Sequence, residues 1–307
     1  MPAPATSTQF GDLLDPRFQK IFYENYDGLP DMISDIFGAT QHNGRADMRW
    51  SNVGAFGDWS EFTGTVGYDS LNQGYDTTAT YIEFVSGCQV ERKLFDDDQY
   101  HIIDKRPEGL AAAANRTRQK HAFRLFNNAA SVDTYFYNNT EGVALGSTAH
   151  TTTASGVPTT TGFNNLSTSA LTAVSLSAAR IKGEKFRDDR GNRLSFVDFD
   201  ELWVPVDLWD QAWEINNSAG KPDTANNNAN IHKGKYELKK SLYLSDTNDW
   251  SLHSSKNRKQ MTAWVDRVSM EFKQAEDIDT MVAKWRGYMR YSMAWIDWRF
   301  AVWSSVS

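Results

Sequence analysis

The stretch that most constrains the fold is EFTGTVGYDSLNQGYDTTATYIEFVSGCQVER, from Glu61 to Arg92. Its first part alternates: Phe62, Val66 and Tyr68 fall on one side, Thr63, Thr65 and Asp69 on the other. Its last part alternates again, with Ile82, Phe84, Cys88 and Val90 set against Tyr81, Glu83, Gln89 and Glu91. Period two predicts strand. The segment Asn72–Asp76 between the two parts is turn-rich. The expectation is a β-hairpin with arms of roughly ten residues, about 30 Å long. A two-stranded ribbon is marginal alone in water, so this one needs a surface to lie on.

The rest of the chain supplies several apolar surfaces. A length of 307 residues suffices for one large domain or two smaller ones. Residues 1–10 are expected to be disordered, and 15–37 to form short helical pieces that start at Asp15-Pro16 and break at Leu29-Pro30. Too few partners lie nearby for that segment to be a domain, so it is expected to lie along something else as an arm. His101-Ile102-Ile103 extends the second ribbon strand. Pro107 opens a helix that runs to about Ala130, with Ala114, Ala122, Leu125, Phe126 and Ala129 as its apolar stripe and Arg116, Lys120 and Arg124 largely off it.

From Gly142 to Ala179 there is no Asp, Glu, Lys or Arg. That composition suits either a low-complexity linker or an ordered loop; Val143 and Leu145 favour the ordered loop. It leads into a helix at 168–182, capped by Ser167 or Thr168. A hairpin at 186–196, a buried strand at 202–205, a helix at 207–216, a polar loop at 220–230 and a strand at 236–244 follow. At the end, Trp285, Gly287, Met289, Tyr291, Met293 and Trp295 form one face. The apolar set then switches to Ile296, Trp298, Phe300 and Val302. A one-residue slip flips a strand's faces, so a bulge or sharp turn is predicted near 295–297.

Local chemistry is sparse. The single cysteine, Cys88, excludes an internal disulfide and reads as a buried inert thiol. None of the six histidines has a second histidine at i+3 or i+4, so no metal site is expected. Ser147 and His150 read as a hydrogen-bonded turn, not part of a triad. Phosphate loops are absent. Asp96–Asp98 and the basic cluster Lys256-Asn257-Arg258-Lys259 read as solvated turns. Eleven tryptophans on aromatic strands suggest a subunit interface or core more readily than a sugar-binding groove. A net charge of −7 argues against nucleic-acid binding over the whole surface. No secretory signal and no membrane-length apolar run is visible, which places folding in a cytoplasm. No catalytic, cofactor or metal residue is proposed, and the chain is not expected to be an enzyme. An apolar arm, an unsupported ribbon, a long helix and aromatic final strands point instead to assembly.

This order of parts resembles the major capsid proteins of tailed phages, the Hong Kong 97-like fold, with a closer likeness to the Mu-like major head subunit family. The resemblance is carried by 61–84, by GVALGSTAHTTT and the following FNNLSTSALTAVSLSAARI (142–181), by 187–218 and by the closing AWIDWRF (294–300). It implies an α+β chain divided into an N-terminal arm (1–50), an extended β-hairpin loop (51–104), a peripheral domain with a long spine helix (105–165), an axial domain (166–255) and peripheral C-terminal strands (256–307). It implies a shell of hexamers and pentamers around double-stranded DNA, assembled in a bacterial host. Portal, scaffolding and decoration proteins are the implied partners, with no cofactor and no membrane. The scaffold is expected either as a separate chain or as never needed, and no covalent crosslink is expected. Phe62, Val66, Tyr68, Leu71, Tyr75, Ile82, Phe84, Phe18 and Phe22 are the expected inter-subunit contacts. An encapsulin-like compartment shell and a carbohydrate-binding or carbohydrate-active protein are the alternatives.

Overall fold

In a computed structural model, the structure describes residues 11–38, 44–59, 61–66, 68–70, 72–91, 105–194, 198–220, 228–277 and 282–306. The expected strand at 101–103, the acidic run 96–98 and most of the polar loop 220–230 lie outside them.

Three sheets organise these residues. The first is antiparallel, in the order β1 (Asp47–Val53), β2 (Gln73–Thr80), β4 (Tyr137–Asn139). In the second, β10 (Val282–Trp295) lies between β3 (Ile82–Glu91) and β9 (Thr262–Asp277), again antiparallel. The third is mixed: β5 (Leu166–Ser167), β11 (Ala301–Ser304), β8 (Trp250–His253), β6 (Glu201–Pro205), β7 (Glu237–Ser241).

The predicted hairpin at 61–92 is not formed. β2 pairs with β1, matching Trp50 to Thr77, while β3 pairs with β10, matching Phe84 to Met289. The cause is local. Gly64 takes φ +104, a left-handed value that strands do not use, so the alternation of 61–68 builds no strand. The threonine-rich run Thr77–Thr80 does build one, with Thr77 and Ala79 fully buried. Asn72–Asp76 is therefore not a tip: Gln73 to Asp76 already belong to β2, paired with β1.

The long helix is α3, Lys105–Asn127, about 35 Å at 1.5 Å per residue. Ala114, Ala122, Leu125 and Phe126 are buried as the stripe predicts. Small residues let α3 sit close to the second sheet. Gly287 of β10 completes the fit, since a Cβ there would come 2.6 Å from Met270 Cε and 3.8 Å from Leu110 Cδ2.

The arm lies along this same body. α1 (Gly11–Asp27) crosses α3 and β9, and α2 (Ile33–Ile36) meets α3 after the break at Leu29-Pro30. Phe18 meets Trp285 edge-on at 5.2 Å, and Phe22 stacks on Phe272 at 4.7 Å. Both phenylalanines are buried by their own chain, which corrects their assignment to a neighbour's surface. Cys88 is half-buried beside them, not fully enclosed, and that burial raises its thiol pKa.

The uncharged segment is an ordered strap. Thr152 Oγ1 donates to Asp189 O at 2.8 Å and Thr153 Oγ1 to Gln73 O at 2.8 Å. His150 is buried, stacked on Trp298 at 4.1 Å, with Glu141 and Asn165 each 3.1 Å from its ring nitrogens. Ser147 Oγ instead accepts from Ala149 N at 3.1 Å, as a turn would. The helix after the strap is α4, Ala173–Glu184, starting later than predicted. Ser167 is occupied in β5, so the cap falls to Thr172, which forms a capping box with Ser175. After α5 (Trp209–Asn217) and β7, the basic cluster is not a solvated turn either. It forms α6 (Ser255–Met261), with Arg258 buried.

The odd face of β10 is buried as predicted, from Trp285 to Trp295. The chain then turns, with Arg299 N donating to Asp297 Oδ1 at 3.0 Å. β11 pairs with β8, so the last strand joins the third sheet and departs from the expected grouping of all of 256–307 with the peripheral strands.

Two stability predictions arise here. A Cβ at Gly183 of α4 would overlap the Phe199 ring, so Gly183→Ala should destabilise the chain by about 1–3 kcal/mol in urea unfolding. The second concerns pH. His253 is enclosed by Phe126, Trp203, Phe300 and Trp303, and burial holds its pKa well below 6.5; burial likewise lowers His121 to about 4. Unfolded imidazoles take a proton near pH 6.5, whereas these resist until lower pH. Their contribution is complete above about pH 7 and is lost as pH falls through 6.5. Tm should drop between pH 7.5 and 5, and less steeply for His253→Gln than for the parent.

Candidate assembly surface

Between β1 and β2 the chain leaves the body as a loop, residues 54–72. Its base is clamped. Gly54 N donates to Asn72 O at 2.8 Å, closing the neck. Ala55 N donates to Asp189 Oδ1 at 2.9 Å. Arg190 donates to Asp69 Oδ1 at 2.7 Å and to Ser70 O, while Gly57 N donates to Asp69 Oδ2 at 2.7 Å. Asp189 and Arg190 come from the turn of the predicted 186–196 hairpin, closed by the bridge between Arg187 and Arg193. The Gly57 amide and the Arg190 guanidinium hold the Asp69 carboxyl below the usual carboxylate range. This clamp is therefore complete at neutral pH and loosens as acid protonates Asp69.

Above the clamp the loop carries large apolar side chains into solvent. Trp59 is 99% exposed, Tyr68 93%, Phe62 70% and Val66 59%; Phe56 is exposed too. So dense an apolar set on one loop marks an interaction surface. Of the residues singled out in the sequence, Phe62, Val66 and Tyr68 lie on it, and Leu71 lies outside the described residues. Tyr75 is in β2, half-buried, its hydroxyl 2.7 Å from Thr151 Oγ1. Ile82 and Phe84 pack on their own chain's core; Phe84 stacks on Tyr291 at 4.8 Å and meets His121 at 4.8 Å. These two therefore do not form the outward face that the hairpin reading gave them. Phe56 and Trp59 were missed because Phe56-Gly57-Asp58-Trp59 has no periodicity. Its signal was different: two aromatics beside turn residues, with nothing local to bury them.

No described helix is long and apolar enough to cross a membrane, and the described residues contain no His, Cys, Asp and Glu cluster able to hold a metal.

Among solved structures, the capsid of the Cyanophage P-SCSP1u is similar, with a TM-score of 0.55 at 13% identity, over 91% of this chain and 88% of that one. The capsid of Myoviridae phage XM1 gives a TM-score of 0.55 at 10% identity, over 91% and 92%. The mature capsid of bacteriophage PhiM1 gives 0.55 at 8%, over 91% and 88%. These likenesses establish the fold, the Hong Kong 97-like mixture of helices and sheets. No curated protein matches the chain. A family model described as "Phage capsid protein" matches residues 77–304, from β2 to the end of β11. With most of its length inside that match and its fold that of phage shells, the chain belongs to the phage capsid protein family.

Proposed function

We propose that this capsid protein is the major head subunit, assembling as hexamers and pentamers into an icosahedral shell around double-stranded DNA, and that loop 54–72 lies on a neighbouring copy. The exposed aromatic loop carries this reading. One copy leaves Trp59 and Tyr68 in water, and a second copy of the same chain is the partner a shell always supplies. Repeated head-to-tail contacts close into rings. The residues placed at the contact are Phe56, Trp59, Phe62, Val66 and Tyr68.

In this reading 11–38 is an arm laid along its own subunit, α3 is the spine of the peripheral part, and the β6-centred sheet with α4 and α5 is the axial part. The portal, scaffolding and decoration proteins are further partners, and the protein resides in the virion head after synthesis in the host cytoplasm. A net charge of −7 suits a wall that packaged DNA slides past. The subunit's role is structural, without catalysis.

Sedimentation and electron microscopy of the purified protein test the proposal. Capsomers, shells or tubes are expected. A monomer at every concentration, with scaffold supplied, overturns it.

A further inference from the structure

We propose that His150 and Glu141 form a buried proton latch. At neutral pH His150 is an imidazolium paired with the Glu141 carboxylate, and losing its proton as pH rises frees the strap that holds the root of loop 54–72. The device belongs to the single subunit and does not depend on what the loop touches.

The hydrogen bonds around the ring carry the assignment. The side chain of His150 is 0% exposed and that of Glu141 2%. Asn165 Nδ2 donates to Leu145 O at 2.9 Å and to Trp298 O at 3.4 Å, while Asn165 Oδ1 accepts from Ser147 N at 2.8 Å. Turning that amide over would set its oxygen against two carbonyls and its NH2 against an N–H. Oδ1 is therefore the atom 3.1 Å from His150 Nε2, and Nε2 carries a proton. On the other side Nδ1 lies 3.1 and 3.3 Å from the two Glu141 oxygens, and Glu141 Oε1 also accepts from Thr151 N at 2.7 Å. A bare Nδ1 would point its lone pair at a buried carboxylate, so Nδ1 carries a proton as well. The ring with both protons is a cation, and it lies flat on the Trp298 indole, 4.1 Å away and 4° from parallel.

The charged groups about the pair favour one more cation. Glu141, Asp189, Asp297 and Arg299 line one small cavity together with Tyr75. Arg299 lies 4.6 Å over the Trp298 ring and is paired with Asp297 at 2.8 Å, and Arg187 donates to Gly191 O. Residues 163–165, which also pack on the ring, are uncharged. The latch acts on the loop's root. From Thr151 to Thr153 the strap binds Tyr75 and Gln73 of β2 and Asp189 O, and Asp189 Oδ1 in turn holds Ala55 N at the neck. An unfolded imidazole gives up its proton near about pH 6.5, whereas the closed strap keeps it, so the strap is fully held below that pH and loosens as pH rises. The Asp69 clamp loosens in acid, so the root is tightest between the two.

Amide hydrogen exchange on the full chain, corrected for intrinsic base catalysis, tests the latch at the Thr151 amide, which donates to Glu141. Opening releases one proton, so protection there should fall about tenfold per pH unit from about pH 7 to about pH 8.5. The amides of β8 should hold constant over the same range. His150→Gln and Glu141→Gln should each remove the slope. Equal protection of Thr151 at both ends of the range in the parent overturns the proposal, and so does a slope that survives in His150→Gln. If neither variant folds, nitrogen-15 spectra of the histidine-labelled parent at neutral pH decide. A buried ring with both nitrogens protonated is expected, and a bare nitrogen on every buried ring overturns the latch.

Discussion

Replacing Arg258 by alanine should destabilise the folded chain by about 3–5 kcal/mol. The side chain is 0% exposed, and its guanidinium forks onto Glu201, itself 5% exposed. It also donates to Ile36 O at 3.0 Å and Asp35 O at 2.7 Å, and lies 5.1 Å over the Trp203 ring. Alanine would strand a buried carboxylate whose one remaining neutral donor among the described residues is the Trp203 indole, at 2.8 Å, and would leave two carbonyls without this donor. Removing both charges with Arg258→Met and Glu201→Leu should cost much less than Arg258→Ala, because the penalty comes from the orphan and not from losing the pair. Urea unfolding at pH 7 measures both. A loss below about 1 kcal/mol for the alanine variant would mean that water reaches Glu201 and solvates it.

The second large effect concerns assembly alone. Changing Phe56, Trp59 and Phe62 together to serine should leave unfolding within about 0.5 kcal/mol of the parent, since all three are exposed in the single chain. Assembly should collapse. Each aromatic buried at a contact contributes about 1.5–3 kcal/mol, so three together are worth on the order of a thousandfold or more in association. Sedimentation velocity across a concentration series reads the loss. A variant that assembles at the parental concentration would show that these rings stay in water in the shell. Excision of the loop must stop short of Gln73, because β2 begins there and Thr77 and Ala79 are core residues.

Regular periodicity made much of this fold legible. The stripe on α3, the odd face of β10 and the buried strand at 202–205 all follow from spacing, because each is a long or wholly apolar run. The ribbon misled because alternation reports a strand but not its partner. Thr77 faces Trp50 upstream and Phe84 faces Met289, some two hundred residues downstream, and neither distance is written in a local pattern. Arg258 misled for a related reason. Four polar residues in a row describe a solvated turn unless a carboxylate is waiting, and Glu201 is 57 positions away. The candidate surface was half visible: Phe62, Val66 and Tyr68 were found for their alternation, yet they matter because the described residues of the loop form no strand that would bury them. The order of parts, more than any motif, led to the family.

The Arg258 contacts have a consequence for timing. The carbonyl it holds at Ile36 lies 222 positions earlier in the chain. At synthesis rates of roughly 5–20 residues per second, the arm emerges on the order of ten to forty seconds before the residue that secures it. Throughout that interval α2 lacks its anchor, and closing so long a chain segment is a late event in folding. A nascent subunit thus sets α2 on α3 early and locks it with Arg258 only late.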